Sequence, residues 1–416
     1  MKLNLQSVKL RLAEIIKQKK PPRYYIPLLV ILRTLSWLYG AAVNIRNYLY
    51  DAEIFNSSEV DIPVVSVGNI VVGGTGKTPV VRELAEMLKN SGYSPAVICK
   101  GYGQEVVEPE MVSDGENIFL GADEVGDEAL LLAAELDKIP VVVCQNKTKA
   151  AEWVDKNLNS DIMLIDDGFQ HRSLNRDFDL VLLDVNLPFG NGHLLPRGFL
   201  REHPKNLQRA DGIIITRVEQ ADEQSIMQIW QEIADLNGEL SVFLGNYQPR
   251  YLHDFRQNRY SLEYIAGERV KAFSSIGNPD SFITTLNNLG CHVDEHFVFP
   301  DHHDYSRSDF AGEDGFIPRE AAKSEDVEKK SDEAQFLLTT SKDFTKLSED
   351  LVDYIQRQGY KLLVLKMAMK ISPGADLSRL DLDDVNFAEN NLEELLRQED
   401  FCGSENLTDT IIDFLQ

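Results

Sequence analysis

The sequence predicts an α/β protein in which helices cover both faces of a parallel sheet. Short, wholly apolar runs alternate with helix-like segments from residue 61 onward. Strands buried on both faces carry such runs because neither face is left for polar side chains. A glycine-rich turn joins the first run to an amphipathic helix. The composition, 43% hydrophobic and 26% charged, is typical of globular proteins and excludes a disordered, collagen-like or mostly membrane-embedded chain.

The chain has 416 residues, enough for two or three domains of roughly 150 residues. We expect a basic and apolar helical segment over residues 1–50, a first α/β domain over 51–220, a smaller C-terminal α/β domain over 221–373 and an acidic segment over 374–416. The chain carries 42 Lys and Arg against 67 Asp and Glu, a net charge of −25. Because general nucleic-acid binding needs a basic surface, this balance argues against nucleic acid as a partner.

The first 50 residues differ in charge from the rest, with nine basic residues and one acidic residue. Residues 1–20 have the pattern of a basic amphipathic helix that ends at Pro21 and Pro22. The apolar stretch over 24–43 is long enough to span a bilayer, but Arg33 near its middle costs about 2.5–3.5 kcal/mol on insertion scales. We expect a helix anchored in or lying along a membrane surface. A core helix of a soluble domain and a true span are the alternatives.

The first α/β domain is predicted from its apolar runs to contain six strands and two helices. The predicted strands cover residues 62–67, 96–99, 141–144, 162–165, 180–183 and 212–216, and the predicted helices cover 78–91 and 124–136.

The second α/β domain is predicted to contain strands over 270–274, 296–299, 336–339 and 361–365, with helices over 280–289 and 344–356. Residues 319–333 are expected to form a charged surface loop or helix. From residue 374 the chain has 12 acidic and two basic residues, which favours a solvated, partly helical surface. The four cysteines lie far apart without metal-ligand spacing, which indicates reduced, buried thiols in a cytosolic environment (Cys99, Cys144, Cys291 and Cys402).

The most specific motif lies between the first predicted strand and the first helix, over residues 68–78. Glycines allow a tight turn whose N–H groups point at phosphate oxygens, and the helix N-terminus adds partial positive charge. Lys77 is expected to bridge the β- and γ-phosphates, and the Thr78 hydroxyl to ligate Mg²⁺. In the usual pattern the loop starts with a glycine, but that position is Val71 here. The predicted nucleotide contacts are Gly73, Gly74, Thr75, Gly76, Lys77 and Thr78, in a P-loop nucleoside-triphosphatase-like fold.

Two acidic residues, Asp166 and Asp167, follow the apolar run over 162–165. Open α/β sheets bind ligands at the carboxyl edge of their strands, where these carboxylates are placed. One is expected to hold Mg²⁺, directly or through water, and the second to add a metal contact or to position the first.

Several further segments, all in one order along the chain, resemble the tetraacyldisaccharide 4′-kinase family, the lipid A 4′-kinases of Gram-negative bacteria. The matching residues are 67–69 with 73–79, 101–103, 126–128, 166–171, 188–202, 299–303 with Tyr305, and 338–343. The resemblance implies transfer of the γ-phosphoryl group of ATP, with Mg²⁺, to the 4′-hydroxyl of a tetraacylated glucosamine disaccharide 1-phosphate. It also implies a peripheral or N-terminally anchored place on the cytoplasmic face of the inner membrane, with this lipid and the membrane surface as partners.

The resemblance also assigns roles to individual residues. Asp127 corresponds to the family's catalytic base, with His302 as its partner and His303 as the fallback. Lys77 shares the catalytic role, and Glu128, Gln170 and Glu202 match positions around the metal and phosphates. Contacts to the anionic substrate are expected from Lys100, Asn191, Arg197, Arg201 and His303. Without the resemblance, Asp127 also fits a plain helix N-terminus.

Two other function classes suit a phosphate loop. A P-loop ATPase or GTPase switch is one, but residues 340–343 only loosely imitate a guanine motif, and Val72 stands where a deviant ATPase loop carries lysine. A non-catalytic nucleotide-dependent scaffold would leave Lys77, Asp127 and Asp166 without a role. The sequence therefore favours the kinase.

Overall fold

A computed structural model of the chain describes residues 22–101, 106–238, 240–300, 303–310, 335–376 and 407–415. The basic helix predicted over 1–20, the loop over 319–333 and most of the acidic segment lie outside these residues. Thirteen strands in the described part form one continuous sheet. They are β1 (Val64–Asn69), β2 (Pro95–Cys99), β3 (Glu110–Ser113), β4 (Val141–Val143), β5 (Ile162–Asp166), β6 (Phe178–Asp184), β7 (Gly212–Thr216), β8 (Ser241–His253), β9 (Arg259–Tyr260), β10 (Arg269–Ser274), β11 (His292–Val298), β12 (Gln335–Thr340) and β13 (Tyr360–Asp376).

Helices connect most of the parallel strands. They are α1 (Ile26–Asp51), α2 (Lys77–Asn90), α3 (Ala122–Val125), α4 (Asp127–Glu135), α5 (Lys147–Asn157), α6 (Glu223–Leu236), α7 (Pro279–Asn288), α8 (Arg307–Phe310), α9 (Ser341–Phe344), α10 (Glu349–Arg357) and α11 (Leu407–Leu415). The predicted α/β class is confirmed.

The strand order is β11-β10-β12-β13-β8-β7-β6-β1-β5-β2-β4-β3, and β9 pairs with β8. Pairing is parallel except at β3 with β4, β8 with β13, and β8 with β9. All residues of β1, β2, β5 and β7 are buried, which explains their continuous apolar sequences. In the register of β1 with β5, Val67 faces Asp166, so the loop after β1 and the acidic pair after β5 lie at the same sheet edge.

Two predicted helices are wrong as single elements. The helix predicted over 124–136 is broken at Gly126, whose φ of 86° begins a new helix at Asp127. The helix predicted over 344–356 is two helices, α9 and α10, because Ser348 caps α10 through its hydroxyl and starts a new turn. The prediction also missed β3, β8, β9, α5, α6 and α8. The strand β8 was missed because its second half is partly exposed and contains Pro249.

The two α/β regions share the sheet through the long antiparallel pair of β8 and β13. Helix α6 and the start of β8 pack into the core around β6 and β7, where Trp230 and Ile233 are buried with Ile213 and Ile215. The predicted boundary at residue 220 therefore falls inside this packed region. At the chain end, Leu407 and Ile411 of α11 are also buried, so these nine residues are a packed helix rather than the predicted solvated surface.

A buried ion cluster joins three elements. Glu135, at the end of α4, bridges Arg82 of α2, at 2.5 Å, and Lys366 of β13. Arg82 also donates to the carbonyl of Met367, at 3.1 Å. Burial opposes the charge of Arg82, but Glu135 raises the pKa of its guanidinium, while burial lowers the pKa of Lys366. The Glu135 carboxylate of α4 therefore binds α4 to α2, which follows the phosphate loop, and to β13, which joins both regions.

We expect Glu135→Ala to lower the free energy of unfolding by about 3–5 kcal/mol, because it leaves two buried cations without their shared partner. The control is Asp353→Ala, which breaks the exposed pair with Arg357 at 3.7 Å and is expected to cost less than about 1 kcal/mol. Urea unfolding followed by circular dichroism measures both. Equal, small effects would contradict a role for the cluster in stability.

Candidate active site

The loop between β1 and α2 has the conformation of a phosphate cradle. Gly73 and Gly76 have φ values of 133° and 91°, which side chains with a Cβ rarely adopt. The Asn69 amide spans the loop from inside and donates to the carbonyl of Val71, at 2.7 Å, and to the Thr75 hydroxyl, at 2.9 Å. Since α2 starts at Lys77, its first N–H groups point toward the loop and can bind an anion.

Neighbouring strands fix this loop from outside. Arg217, after β7, donates to the carbonyl of Gly74 at 2.7 Å and pairs with Asp184. The Thr216 hydroxyl donates to the carbonyl of Thr75 at 3.0 Å. Sequence reasoning missed both residues, although they end an apolar strand at the same edge as the acidic pair.

Asp166 is positioned to share a cation with the loop. Its Oδ2 accepts from the Thr78 hydroxyl at 3.2 Å, and its buried Oδ1 has no hydrogen-bond partner among the described residues. Burial raises the pKa of Asp166 to about 6, against the opposing charges of Lys147 and Lys77. A buried carboxylate oxygen without a donor, next to a hydroxyl, fits a hard cation such as Mg²⁺.

Asp167 is held by cations. Arg201 binds both of its carboxylate oxygens, at 2.6 and 3.3 Å, and Lys77 lies 3.5 Å from Oδ1. Burial opposes ionisation, but the hydrogen bond from Arg201 and the charges of Lys77 and Lys147 hold the pKa of Asp167 well below its usual range. Arg201 therefore contacts the acidic pair directly.

Lys147 is a site residue that sequence reasoning missed. Its buried ammonium donates to the carbonyl of Asp166 and, at 2.6 Å, to that of Asp167. Burial lowers its pKa to about 8, against the charges of the two aspartates. Its backbone N–H donates to Nε2 of His171 at 3.3 Å, and burial lowers the pKa of that imidazole to about 4, consistent with a neutral acceptor. Lys147 follows β4 at the same sheet edge, which is the signal that sequence reasoning passed over.

The predicted residues Gln170 and Glu128 lie near this group. Gln170 donates to the carbonyl of Asn69 at 2.8 Å, and its Oε1 is buried without a partner in the described part of the chain. Glu128 is in the first turn of α4, and its charge helps to raise the pKa of Asp166.

The Glu202 carboxylate contacts α1 rather than the phosphate loop. Its buried carboxylate accepts from Asn47 at 2.9 Å, Asn206 at 2.8 Å and Arg209 at 3.1 Å, and Arg46 lies 3.5 Å away. Asn47 and Arg46 belong to α1. These contacts favour a structural role as the anchor of α1 over the predicted role as metal ligand.

The loop that includes Asn191, Arg197 and Arg201 lies between α1 and the phosphate loop. Asn191 stabilises it by donating to the carbonyl of Arg197, at 3.3 Å. The Ser36 hydroxyl of α1 accepts from the N–H of Arg197 at 3.0 Å. On the other side, the N–H of Val72 donates to the carbonyl of Phe199 at 2.8 Å. Lys100 is exposed directly after β2, at the same sheet edge.

Asp127 begins α4 and faces the second α/β region. Its Oδ2 lies 3.7 Å from the ammonium of Lys346. The predicted partner His302 lies outside the described residues. His303 stacks on Phe299, with ring centroids 4.6 Å apart, and its Nε2 is 3.3 Å from Asp309.

The chain is similar to a family of known proteins along most of its length. A family model described as tetraacyldisaccharide-1-P 4′-kinase matches residues 28–382. A tetraacyldisaccharide 4′-kinase of Syntrophus aciditrophicus is 37% identical over 365 residues, covering 86% of this chain and 93% of that protein. One of Halothermothrix orenii is 34% identical over 364 residues, covering 85% and 91%. A crystal structure of LpxK from Aquifex aeolicus in complex with ATP superposes with a TM-score of 0.64 at 29% identity, covering 83% of this chain and 95% of that one.

We expect Gly76→Ala to weaken binding of a nucleoside triphosphate at least tenfold, which corresponds to about 1.4 kcal/mol. A Cβ at this position would lie 2.4 Å from the Tyr247 hydroxyl, so either the loop or the Tyr247 side chain must shift, and the positive φ adds backbone strain. The control is Gly92→Ala, which has a similar φ of 96° but open space around it. Calorimetric titration with ATP measures both. Wild-type affinity in Gly76→Ala would contradict the assigned loop geometry.

Proposed function

This chain belongs to the tetraacyldisaccharide-1-P 4′-kinase family, and we propose that it phosphorylates an acylated glucosamine disaccharide at the site described above. The reaction transfers the γ-phosphoryl group of ATP to the 4′-hydroxyl of a tetraacylated disaccharide 1-phosphate. The observation that carries this proposal is the position of the phosphate loop beside the Thr78–Asp166 pair at one sheet edge. Helix α4, which begins at Asp127, lies close enough for the charge of its second residue, Glu128, to raise the pKa of Asp166.

The phosphate loop and Lys77 bind the triphosphate. Lys77 pairs with Asp167 at 3.5 Å in this structure, and the β- and γ-phosphates offer it a stronger anionic partner. Thr78 and Asp166 are the residues that would hold Mg²⁺, with Gln170 and Glu128 beside them. When bound, Mg²⁺ neutralises charge that develops on the transferred group.

Asp127 acts as the general base. A sugar hydroxyl is a weak nucleophile, and a carboxylate within reach accepts its proton as the new phosphorus–oxygen bond forms. The pairing of Asp127 with His302 stays a prediction. Lys100, Asn191, Arg197, Arg201 and His303 stay predicted contacts to the anionic substrate.

The helix α1 supports a membrane location for the substrate-binding edge. It is apolar and long enough to cross a membrane, and only 28% of its most apolar window is buried. One face packs on the protein through Leu32, Ser36 and Gly40. The other face exposes large apolar side chains, namely Ile26, Leu28, Val30, Ile31, Leu35, Trp37, Leu38 and Ile45. We propose that this face contacts lipid at the cytoplasmic face of the inner membrane, which delivers the acylated substrate beside the loop over 191–201.

Two substitutions test the chemistry. We expect Lys77→Ala and Asp127→Asn each to lower kcat by about 10²–10⁴-fold, because one loses a phosphate-binding charge and the other the proton acceptor. The readout is the rate of lipid phosphorylation with purified protein and Mg-ATP. The controls are Lys89→Ala and Asp137→Asn, which break an exposed pair at 3.2 Å near the far ends of the same helices. Wild-type turnover by Asp127→Asn would remove Asp127 as the base.

A second test concerns the exposed face of α1. Val30, Ile31 and Leu38 are 58–65% exposed, and their combined replacement by Gln is expected to lower binding to anionic phospholipid vesicles, because burying each side chain in lipid is worth about 1.5–3 kcal/mol. Vesicle flotation measures binding. Val298→Gln, at 56% exposure on β11, is the control. Unchanged flotation of the triple variant would contradict a lipid-facing role for α1.

A further inference from the structure

Lys346 is a buried lysine next to the base. It follows α9, and only 4% of its side chain is exposed. Its ammonium donates to the Ser275 hydroxyl at 2.9 Å and lies between two carboxylates, 3.7 Å from Asp127 Oδ2 and 3.8 Å from Asp343 Oδ1. Because Asp127 begins α4 while the other groups belong to the second α/β region, this cation connects the two regions at the site.

Asp343 is the second carboxylate beside the Lys346 ammonium. It is fully buried and accepts from four donors: the N–H of Ser275 at 3.1 Å, the Ser275 hydroxyl at 2.5 Å, the Tyr305 hydroxyl at 3.1 Å and the Thr340 hydroxyl at 2.7 Å. Tyr305 follows the segment that carries the two histidines. Asp343, in α9, therefore connects the end of β10 to the segment that carries the two histidines.

The number of N–H donors on the Lys346 ammonium indicates which of its contacts matter. A buried ammonium is strongly destabilising unless it is paired, and it has three N–H donors. One donor is used by Ser275. Asp343 already accepts from four donors at shorter distances, and Asp127 is the carboxylate through which the cation contacts the first region. The distance of 3.7 Å is longer than a charge-assisted hydrogen bond, and a shift of less than about 1 Å between the regions would form one.

We propose that Lys346 is a positioning residue for the phosphoryl transfer: it holds the Asp127 carboxylate in place and couples that placement to the docking of the second region. The inference rests on the proposed role of Asp127 as base. Apart from the Asp127 contact, Lys346 contacts groups of its own region, namely Ser275 and Asp343. A displacement of that region therefore moves the ammonium and, through it, the Asp127 carboxylate at the start of α4. Catalytic hydrogen bonds are often long before substrate binds and shorten in the reactive complex.

A double-mutant cycle tests this. We expect Lys346→Met to lower kcat about 10²-fold, the lower end of what a general base supplies, with the KM for ATP changed less than about threefold. Lys346→Arg keeps the charge and is expected to recover kcat to within about tenfold of wild type. In an Asp127→Asn background, Lys346→Met is expected to change kcat less than about twofold, because the group it positions is already disabled.

The controls separate this role from folding and from the proposed function. Lys271→Met breaks another lysine pair of the second region, with Glu295 at 2.6 Å, and is expected to retain kcat. If Lys346→Met does not fold in a thermal unfolding assay, Ser275→Ala replaces it, with an expected loss of about three- to tenfold in kcat in the wild-type background only. An equal loss from Lys346→Met with and without Asp127, or wild-type kcat in Lys346→Met, would overturn the inference. Absence of lipid phosphorylation by the wild-type protein would instead contradict the proposed function.

Discussion

The site depends on two adjacent carboxylates at the end of β5: Asp166, which is buried, and Asp167, which is partly buried. Three cations make this burial possible. Lys147 binds the backbone carbonyls of both residues, Arg201 binds both oxygens of Asp167, and Lys77 lies beside Asp167. The parallel register of β1 with β5 places this group directly beside the phosphate loop. Removing any one cation would leave this negative charge less well compensated, which is costly in a low-dielectric environment.

The same group is connected to α1, the helix with an exposed apolar face. The Tyr39 hydroxyl of α1 donates to the carbonyl of Arg201 at 2.9 Å, and the side chain of Arg201 binds Asp167. The carboxylate of the next residue, Glu202, accepts a hydrogen bond from the Asn47 side chain of the same helix. This apolar helix is thus joined through two consecutive residues to the carboxylates beside Lys77.

Much of this could be predicted from the sequence because it depends on local patterns. The strand at 212–216 was predicted with its observed bounds, and the loop over 68–78 and the acidic pair were placed at one sheet edge by the rule for strand ends. Lys147, Thr216 and Arg217 were not found, since each acts through contacts with residues distant in sequence. Glu202 was assigned to the metal from its motif, but the motif does not specify which way the side chain points. Lys346 follows the motif at 338–343, and its role depends on how two regions pack, which no local pattern encodes.

The central claim is that the site delivers the γ-phosphoryl group to a sugar hydroxyl rather than to water. Tandem mass spectrometry of the lipid recovered after incubation with Mg-ATP carrying ¹⁸O in its γ-phosphoryl group tests this most directly. The expected product is a disaccharide with a second, labelled phosphate at the 4′-position. Labelled inorganic phosphate together with unmodified lipid would contradict it and would instead support an ATPase switch.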